Sequence, residues 1–383
     1  MEWKSEEQWM FDRAREIATG IAPLPISGMQ SSVRVPNPGM SVWCFAFIAK
    51  FADTPIAMVR WIQWFNILTI WAFCVFVFWQ ISKSQRGPWL WGMAIASVNP
   101  IAILFSRKIW TPDIIAPFCF LIFLGYWFRK RFWGSFLWGF SAIVMGQIQM
   151  GGFFVALGLL FWSLWHDYRA KSWHKAPWLG WLLGTAIGSI PLIPWVITVL
   201  LPNMGGYTRS IVGILVPKFY SQWITTALGV NLSYSLENVF WQDFLREPLI
   251  FGIHTYLMIP AHLFLVGIGL YPVYRWFKSR KKRLKKEKSN SNSRLNFYLK
   301  ALGFGVGGAF TISAVNVRPY YIAVVFPFTY IWLAKLYQNK IGILIAIALM
   351  QLFISTTFLT FIHRTGGFAD VDYGIVYRLQ MSE

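Results

Sequence analysis

An acidic pair, Glu6 and Glu7, stands near the start of the chain between Trp3 and Trp9. Acidic residues are scarce, with 15 Asp and Glu against 35 Lys and Arg, so the position of each one carries information. A carboxylate held against a membrane surface beside aromatic rings can serve as a general base. Acids in structural ion pairs share these features, so the pair indicates either a base or a structural contact.

A basic pair, Arg107 and Lys108, lies in the segment SRKIWTPD, which ends at Asp113. Arg can donate two hydrogen bonds to a phosphate and Lys supplies a compact charge, so the pair suits an anionic lipid phosphate. The alternative is that both side chains only extend to phospholipid headgroups.

A third cation, Arg318, opens the segment RPYYIAVVFP and is followed by Tyr320 and Tyr321. The two tyrosines can equally form an ordinary aromatic belt at the membrane surface. We predict that Arg107, Lys108 and Arg318 converge on one phosphate, because all three lie at the outer boundary of predicted spans.

Other polar residues give weaker signals. Gln147 could bind a polar substrate or a neighbouring helix. Cys44, Cys74 and Cys119 lie in apolar stretches, and no Cys/His spacing typical of a metal site occurs. No glycine-rich phosphate-binding motif occurs either. We therefore expect no cofactor. These patterns neither require nor exclude a metal ion.

The elements that must position these residues are membrane helices. The chain is 56% hydrophobic and 13% charged, which excludes an ordinary soluble domain. A helix crosses the hydrocarbon core with roughly 20 apolar residues. The sequence thus predicts an all-α integral membrane protein with about ten spans. These are 57–82, 88–106, 111–128, 133–149, 152–166, 177–200, 248–276, 298–316, 319–337 and 341–361.

The charge pattern predicts the orientation of the chain. Alternate junctions between the spans hold 21 of the 35 Lys and Arg but only 2 of the 15 Asp and Glu. The positive-inside rule makes these junctions cytoplasmic. The net charge of +20 is therefore explained by topology and does not indicate nucleic acid, although the run 278–288 could also touch anionic headgroups.

This orientation divides the chain into five segments. They are an external segment with the acidic motif and a membrane-surface helix (1–56), a helix group (57–276) with an external loop (201–247), a basic cytoplasmic linker (277–297), further helices (298–362) and an external tail (363–383). We expect an outer cavity roofed by the first segment and the long loop, because both are predicted outside and a reaction site must exclude water.

In this order, the motifs resemble those of the GT-C superfamily of polytopic glycosyltransferases. The resemblance is to bacterial family 39-like enzymes related to protein mannosyltransferases and aminoarabinose lipid A transferases. It rests on Ser5-Glu6-Glu7, Pro36-Asn37-Pro38-Gly39, Ser106-Arg107 with Pro112-Asp113, and Arg318-Pro319-Tyr320-Tyr321 with Pro327. The family usually has Asp where Glu6 stands, and a spanning helix precedes its acidic motif. The chain shows no such helix, so we expect about ten spans, or about eleven if one precedes it.

The resemblance implies an inverting glycosyltransferase in the cell membrane, with its active site facing outside. Its donor would be a polyprenyl-phosphate sugar, and its acceptor a glycan, lipid or protein. Glu6 and Glu7 would be catalytic, while Arg107, Lys108 and Arg318 would bind the donor phosphate. The expected substrate-cavity residues are Arg34, Asp113, Gln147, Tyr320 and Tyr321.

Two other functions fit the same pattern. A flippase for lipid-linked saccharides would also be polytopic, aromatic and phosphate-binding, but transporters commonly show repeated halves and charges at mid-membrane. No repeat is evident, and Arg60 is the clearest charge within a span. A polysaccharide polymerase or ligase shares the donor and differs chiefly in the external loop.

Cysteine labelling tests the predicted sidedness. Ser233→Cys and Ser289→Cys are introduced separately into a variant lacking the three native cysteines. A membrane-impermeant thiol reagent on intact cells should modify position 233 and spare position 289, because only the former is predicted outside. The reverse pattern would contradict the orientation and the external site with it.

Overall fold

The computed structural model describes residues 2–31, 35–171, 177–203, 217–279, 294–368 and 374–380. Helices account for about 75% of the structure, and its strands form small open sheets. The all-α prediction is therefore confirmed.

Along most of the chain, the described residues form α-helices. They are α1 (Ser5–Ala18), α2 (Met40–Ala49), α3 (Pro55–Gln80), α4 (Gly87–Val98), α5 (Pro100–Leu104), α6 (Ala116–Trp127), α7 (Phe132–Ile148), α8 (Gly151–Arg169), α9 (Trp178–Ser189), α10 (Leu192–Asn203), α11 (Lys218–Leu228), α12 (Ser233–Leu245), α13 (Met258–Ser279), α14 (Arg294–Lys300), α15 (Gly307–Ile312), α16 (Phe328–Leu336), α17 (Ile341–Thr365) and α18 (Tyr377–Gln380). The strands are β1 (Glu2–Trp3), β2 (Ser27–Gln30), β3 (Pro36–Pro38), β4 (Leu249–Ile250), β5 (Ile253–His254), β6 (Gly367–Phe368) and β7 (Gly374–Val376).

Two described helices, α3 and α17, are long and apolar enough to cross a membrane. Two bent pairs raise the number to four if each is one span: α9 with α10, bent by 61°, and the 3₁₀ helix Pro319–Val325 with α16, bent by 83°. This corrects the predicted count of about ten. Proline divides several apolar runs into shorter helices, since it lacks an N–H and clashes with the preceding turn. The run 88–106, for example, ends one helix at Val98 and starts another at Pro100.

A small sheet joins the two ends of the described chain. Strand β7 pairs antiparallel with both β1 and β6, with Glu2 opposite Val376 and Gly367 opposite Ile375. The Trp3 ring meets the Tyr377 ring edge to face, with centroids 5.1 Å apart. The first segment and the tail are therefore held on one side of the molecule, as the predicted topology requires.

A buried polar network fixes the break between α4 and α5. The Asn99 side chain caps α5 by accepting from the backbone N–H of Ile101 at 3.0 Å. Its amide donates to the Thr226 carbonyl and to Gln351 Oε1, each at 3.0 Å. Hydrogen-bonded polar groups are tolerated in an apolar interior, whereas unpaired ones are costly. Asn99 thus joins α5, α11 and α17 at one point.

Gly367 offers a test of the sheet at the chain ends. Its φ is +87°, and a Cβ built on it would lie 2.4 Å from the Gly374 carbonyl oxygen. Gly367→Ala should lower stability by at least about 1–2 kcal/mol, the cost of the left-handed conformation alone. Gly342→Ala in α17 is the matched control, because nothing lies within 4 Å of its Cβ position. Thermal unfolding of the purified protein measures both, and equal midpoints would contradict the prediction.

Candidate functional site

The acidic pair lies in the first turn of α1. Glu7 is buried, and its Oε2 accepts a hydrogen bond from the Lys4 backbone N–H at 3.2 Å. Glu6 is exposed. Carboxylates are favoured at a helix N-terminus, where backbone N–H groups lack partners within the helix. Strand β1 immediately precedes this turn, so the sheet at the chain ends fixes where α1 begins.

The turn between α5 and the 3₁₀ helix Thr111–Ile114 carries Lys108. Its backbone N–H donates to Asp113 Oδ2 at 2.8 Å, and Asp113 is itself buried. The Asn66 amide on α3 donates to the Asp113 carbonyl at 2.9 Å. Asp113 therefore shapes and anchors the turn that presents Lys108.

The Lys108 ammonium forms an ion pair with Glu7, one member of the acidic pair, in the protein interior. Its Nζ lies 3.9 Å from Glu7 Oε1, and the two side chains are only 7% and 4% exposed. Coulombic attraction is strong at this distance, because a buried pair is screened far less than a surface pair. Glu7 therefore contacts both the start of its own helix and the turn after α5.

A cavity of about 170 Å³, here called the polar cavity, opens beside this ion pair. Segment 1–56 contributes Lys4, Ser5, Glu6 and Glu7 to its lining, and the loop 201–247 contributes Tyr234 and Ser235. A cavity between these two segments is therefore present, and its position on the outer side of the membrane stays a prediction.

The polar cavity has an aromatic wall with a cation at its edge. Tyr320 and Trp110 line it and pack edge to face with ring centroids 4.9 Å apart. Arg318 donates to the Tyr234 hydroxyl, and its Cζ lies 5.5 Å from the centre of that ring. Arg318 is thus held next to a residue of the cavity wall.

An apolar groove of about 280 Å³ adjoins the polar cavity and shares Phe105 with it. Helices α3, α4, α5 and α16 line the groove, together with the start of α6 and the segment 319–326. Most of its lining is aliphatic or aromatic, with a few polar groups such as Gln63 and Ser97. A ligand with an anionic head and a long apolar chain could occupy both spaces at once.

The structure brings together part of the predicted site. Glu6, Glu7, Lys108 and Tyr320 line the polar cavity, and Arg318 contacts it through Tyr234. Arg107 is not among the residues that line it, and its Nε is buried without a hydrogen-bond partner among the described residues. Lys108 thus lines the cavity and Arg318 contacts one of its wall residues, while convergence of the three cations on one phosphate stays a prediction.

Four other predicted cavity residues have different surroundings. Asp113 positions the Lys108 turn, as described above. Gln147 is buried, and its amide donates to the Gly188 carbonyl on α9 at 2.7 Å, so it joins two helices. Tyr321 stacks on Tyr320 and packs against Phe310. Arg34 lies outside the described residues.

Sequence patterns did not identify Tyr234 and Ser235 as site residues. Both lie at the start of α12, in the loop 201–247, whose composition does not distinguish them from its other polar and aromatic residues. The one usable signal was the expectation that this loop covers the first segment. Among the described residues, no group of three or more His, Cys, Asp or Glu could hold a metal ion.

Comparison with known proteins finds no matching family model, no similar curated protein and no similar solved structure.

The Glu7–Lys108 pair yields a stability prediction. Glu7→Gln and Lys108→Met should each destabilise the protein by about 3–5 kcal/mol, because each leaves one buried charge without its partner. The double variant should lose clearly less than the sum of the two, since neither charge then remains buried. Chemical denaturation of the four proteins completes the cycle. Strictly additive losses would contradict a direct interaction.

Proposed function

We propose that this protein is a membrane glycosyltransferase that moves a sugar from a polyprenyl-phosphate donor to an acceptor hydroxyl at the outer face of the cell membrane. The observation that carries the proposal is that Phe105 lines both the polar cavity and the apolar groove, which places the two spaces next to each other. Such a donor has an anionic phosphate between a polar sugar and a long apolar chain. The sugar would lie beside a carboxylate, the phosphate beside the cations, and the apolar chain in the groove.

Glu6 and Glu7 have different roles in the proposed reaction. Glu7 already contacts Lys4 and Lys108, which suits a positioning role. Glu6 lines the polar cavity with an exposed side chain, so it is the better base. In the proposed step Glu6 takes the proton of the acceptor hydroxyl while that oxygen bonds to the anomeric carbon. The bond from the anomeric carbon to the phosphate oxygen breaks, and its electron pair leaves with the polyprenyl phosphate.

The cations stabilise the leaving group. Negative charge grows on the phosphate as that bond breaks, and donors already fixed in place stabilise it without reorganising. Lys108 is fixed by Glu7 and by the Asp113 turn, and Arg318 is fixed by Tyr234. Burial strengthens the effect of Lys108, because the local dielectric constant is lower than that of water, whereas Arg318 is exposed.

The membrane setting belongs to the same proposal. Helices α3 and α17 supply spans by length and composition, and the bent pairs supply further crossings. We propose that shorter apolar helices such as α6 and α7 complete a GT-C type arrangement by crossing or entering the bilayer. Bent and broken helices are tolerated there when neighbouring helices satisfy their backbone groups.

Substitution of Glu6 tests the function. Glu6→Gln keeps the shape and removes the charge, so transfer should fall by roughly 10²–10⁴-fold, the usual contribution of a general base. The matched control is Glu16→Gln at the other end of α1, where the carboxylate forms an exposed ion pair with Arg13 at 2.7 Å. The assay measures sugar transfer by the purified protein from a panel of polyprenyl-phosphate sugars to membrane acceptors.

The assay also separates the alternatives. Loss of transfer in Glu6→Gln with retention in Glu16→Gln is the expected result. Equal transfer by both variants would contradict the role of Glu6. Movement of the lipid-linked sugar across vesicles, with no transfer from any donor in the panel, would favour a flippase.

A further inference from the structure

A larger cavity has a volume of about 760 Å³. It lies where α3, α6 and α8 end and α14 begins, and none of these positions is close to the acidic pair in sequence. We call it the basic cavity. Its lining includes Gln80, the run 129–131, His166, Arg294 and Lys300. All the cations among them belong to junctions that the charge bias predicts to be cytoplasmic. The basic cavity is thus expected on the opposite side of the membrane from the polar cavity.

Positive charge dominates the basic cavity. Five of its lining residues are Lys or Arg, and none of the described lining residues is Asp or Glu. Asp167 lies 3.9 Å from Arg129 and offsets that one charge. The other four cations have no ion-pair partner in the described ranges. Like charges that line one cavity repel each other, and a bound anion would relieve that repulsion.

Aromatic rings lie against all three guanidinium groups of the cavity, and that of Arg131 lies over the Phe128 ring. The Cζ of Arg294 lies 5.0 Å from the centre of the Trp127 ring, and that of Arg129 lies 4.7 Å from the centre of the Phe297 ring. A ring uses the face of a guanidinium group and leaves its N–H edges available, and paired N–H donors match the oxygens of a phosphate. The aromatic rings therefore hold these guanidinium groups in position before an anion binds.

We infer that the basic cavity binds a phosphate group at the inner membrane surface, independently of the sugar transfer proposed above. The phosphate could belong to an anionic phospholipid or to a soluble compound. Basic pockets between helices on the cytoplasmic side are suited to anionic lipid headgroups. Trp127, Phe128 and Trp162 also line the cavity and offer an apolar surface to acyl chains.

Lipid binding to the delipidated full-length protein tests the inference. Native mass spectrometry measures the affinity for phosphatidylglycerol and for zwitterionic phosphatidylcholine. The wild-type protein should prefer phosphatidylglycerol. The double variant Arg294→Gln, Lys300→Gln should bind it roughly 30-fold more weakly, because each cation near an anionic headgroup contributes on the order of fivefold. Inorganic phosphate is then added as a competitor.

The matched control is Lys83→Gln, Lys171→Gln, which removes the same charge from predicted cytoplasmic junctions outside the cavity lining. This control variant should keep the wild-type preference for phosphatidylglycerol. Thermal unfolding should show that both double variants remain folded. Displacement of the lipid by inorganic phosphate would identify a soluble phosphate compound as the ligand, and resistance would identify the lipid. Equal lipid binding by the two double variants would overturn the inference.

Discussion

The buried ion pair between Glu7 and Lys108 is the constraint on which the site depends. Removing two charges from water is expensive, and their attraction offsets that cost only when the geometry is well fixed. Several neighbours provide this geometry. The Lys4 backbone N–H holds the Glu7 carboxylate, Asp113 holds the turn that carries Lys108, and the sheet of β1, β7 and β6 sets the start of α1. The first segment is therefore attached to the turn after α5, and Glu6 is brought to the polar cavity as a consequence.

The apolar part of the site depends on a second fixed point. Asn99 ends α4, caps α5 and bonds to Thr226 and Gln351, so three distant parts of the chain meet there. The groove is lined by α5 and by Thr226, two parts of this network, and Phe105 lines both the groove and the polar cavity. Polar groups at such a position are satisfied by each other, which allows the rest of the groove to remain apolar. A ligand's charged headgroup could then contact polar side chains while its lipid chain contacts apolar ones.

Sequence reasoning predicted the class of the fold, and its errors have physical causes. The scarcity of acidic residues made Glu6 and Glu7 stand out, and the basic pair with Arg107 made Lys108 stand out. The structure places Glu6, Glu7 and Lys108 at one cavity. Hydropathy overestimated the number of spans, because it measures apolar content and ignores the bends that proline introduces near Pro191 and Pro327. Gln147 pairs with a backbone carbonyl of a neighbouring helix, a choice that composition cannot reveal. The pairing of β1 with β7 and the contribution of Tyr234 are long-range contacts, and no local pattern encodes them.

Photocrosslinking tests most directly whether the polar cavity and the apolar groove form one donor site. A polyprenyl phosphate with a diazirine on its isoprenoid chain is bound to the purified protein, irradiated and located by mass spectrometry. We expect adducts on groove residues such as Ala102, Ile322 and Thr329, and their loss when unlabelled polyprenyl phosphate competes. Lys108→Met should weaken the labelling, because the phosphate would lose a cation. Adducts confined to exposed side chains of α3 such as Trp71 and Trp79, unaffected by the competitor, would contradict a donor site in the groove.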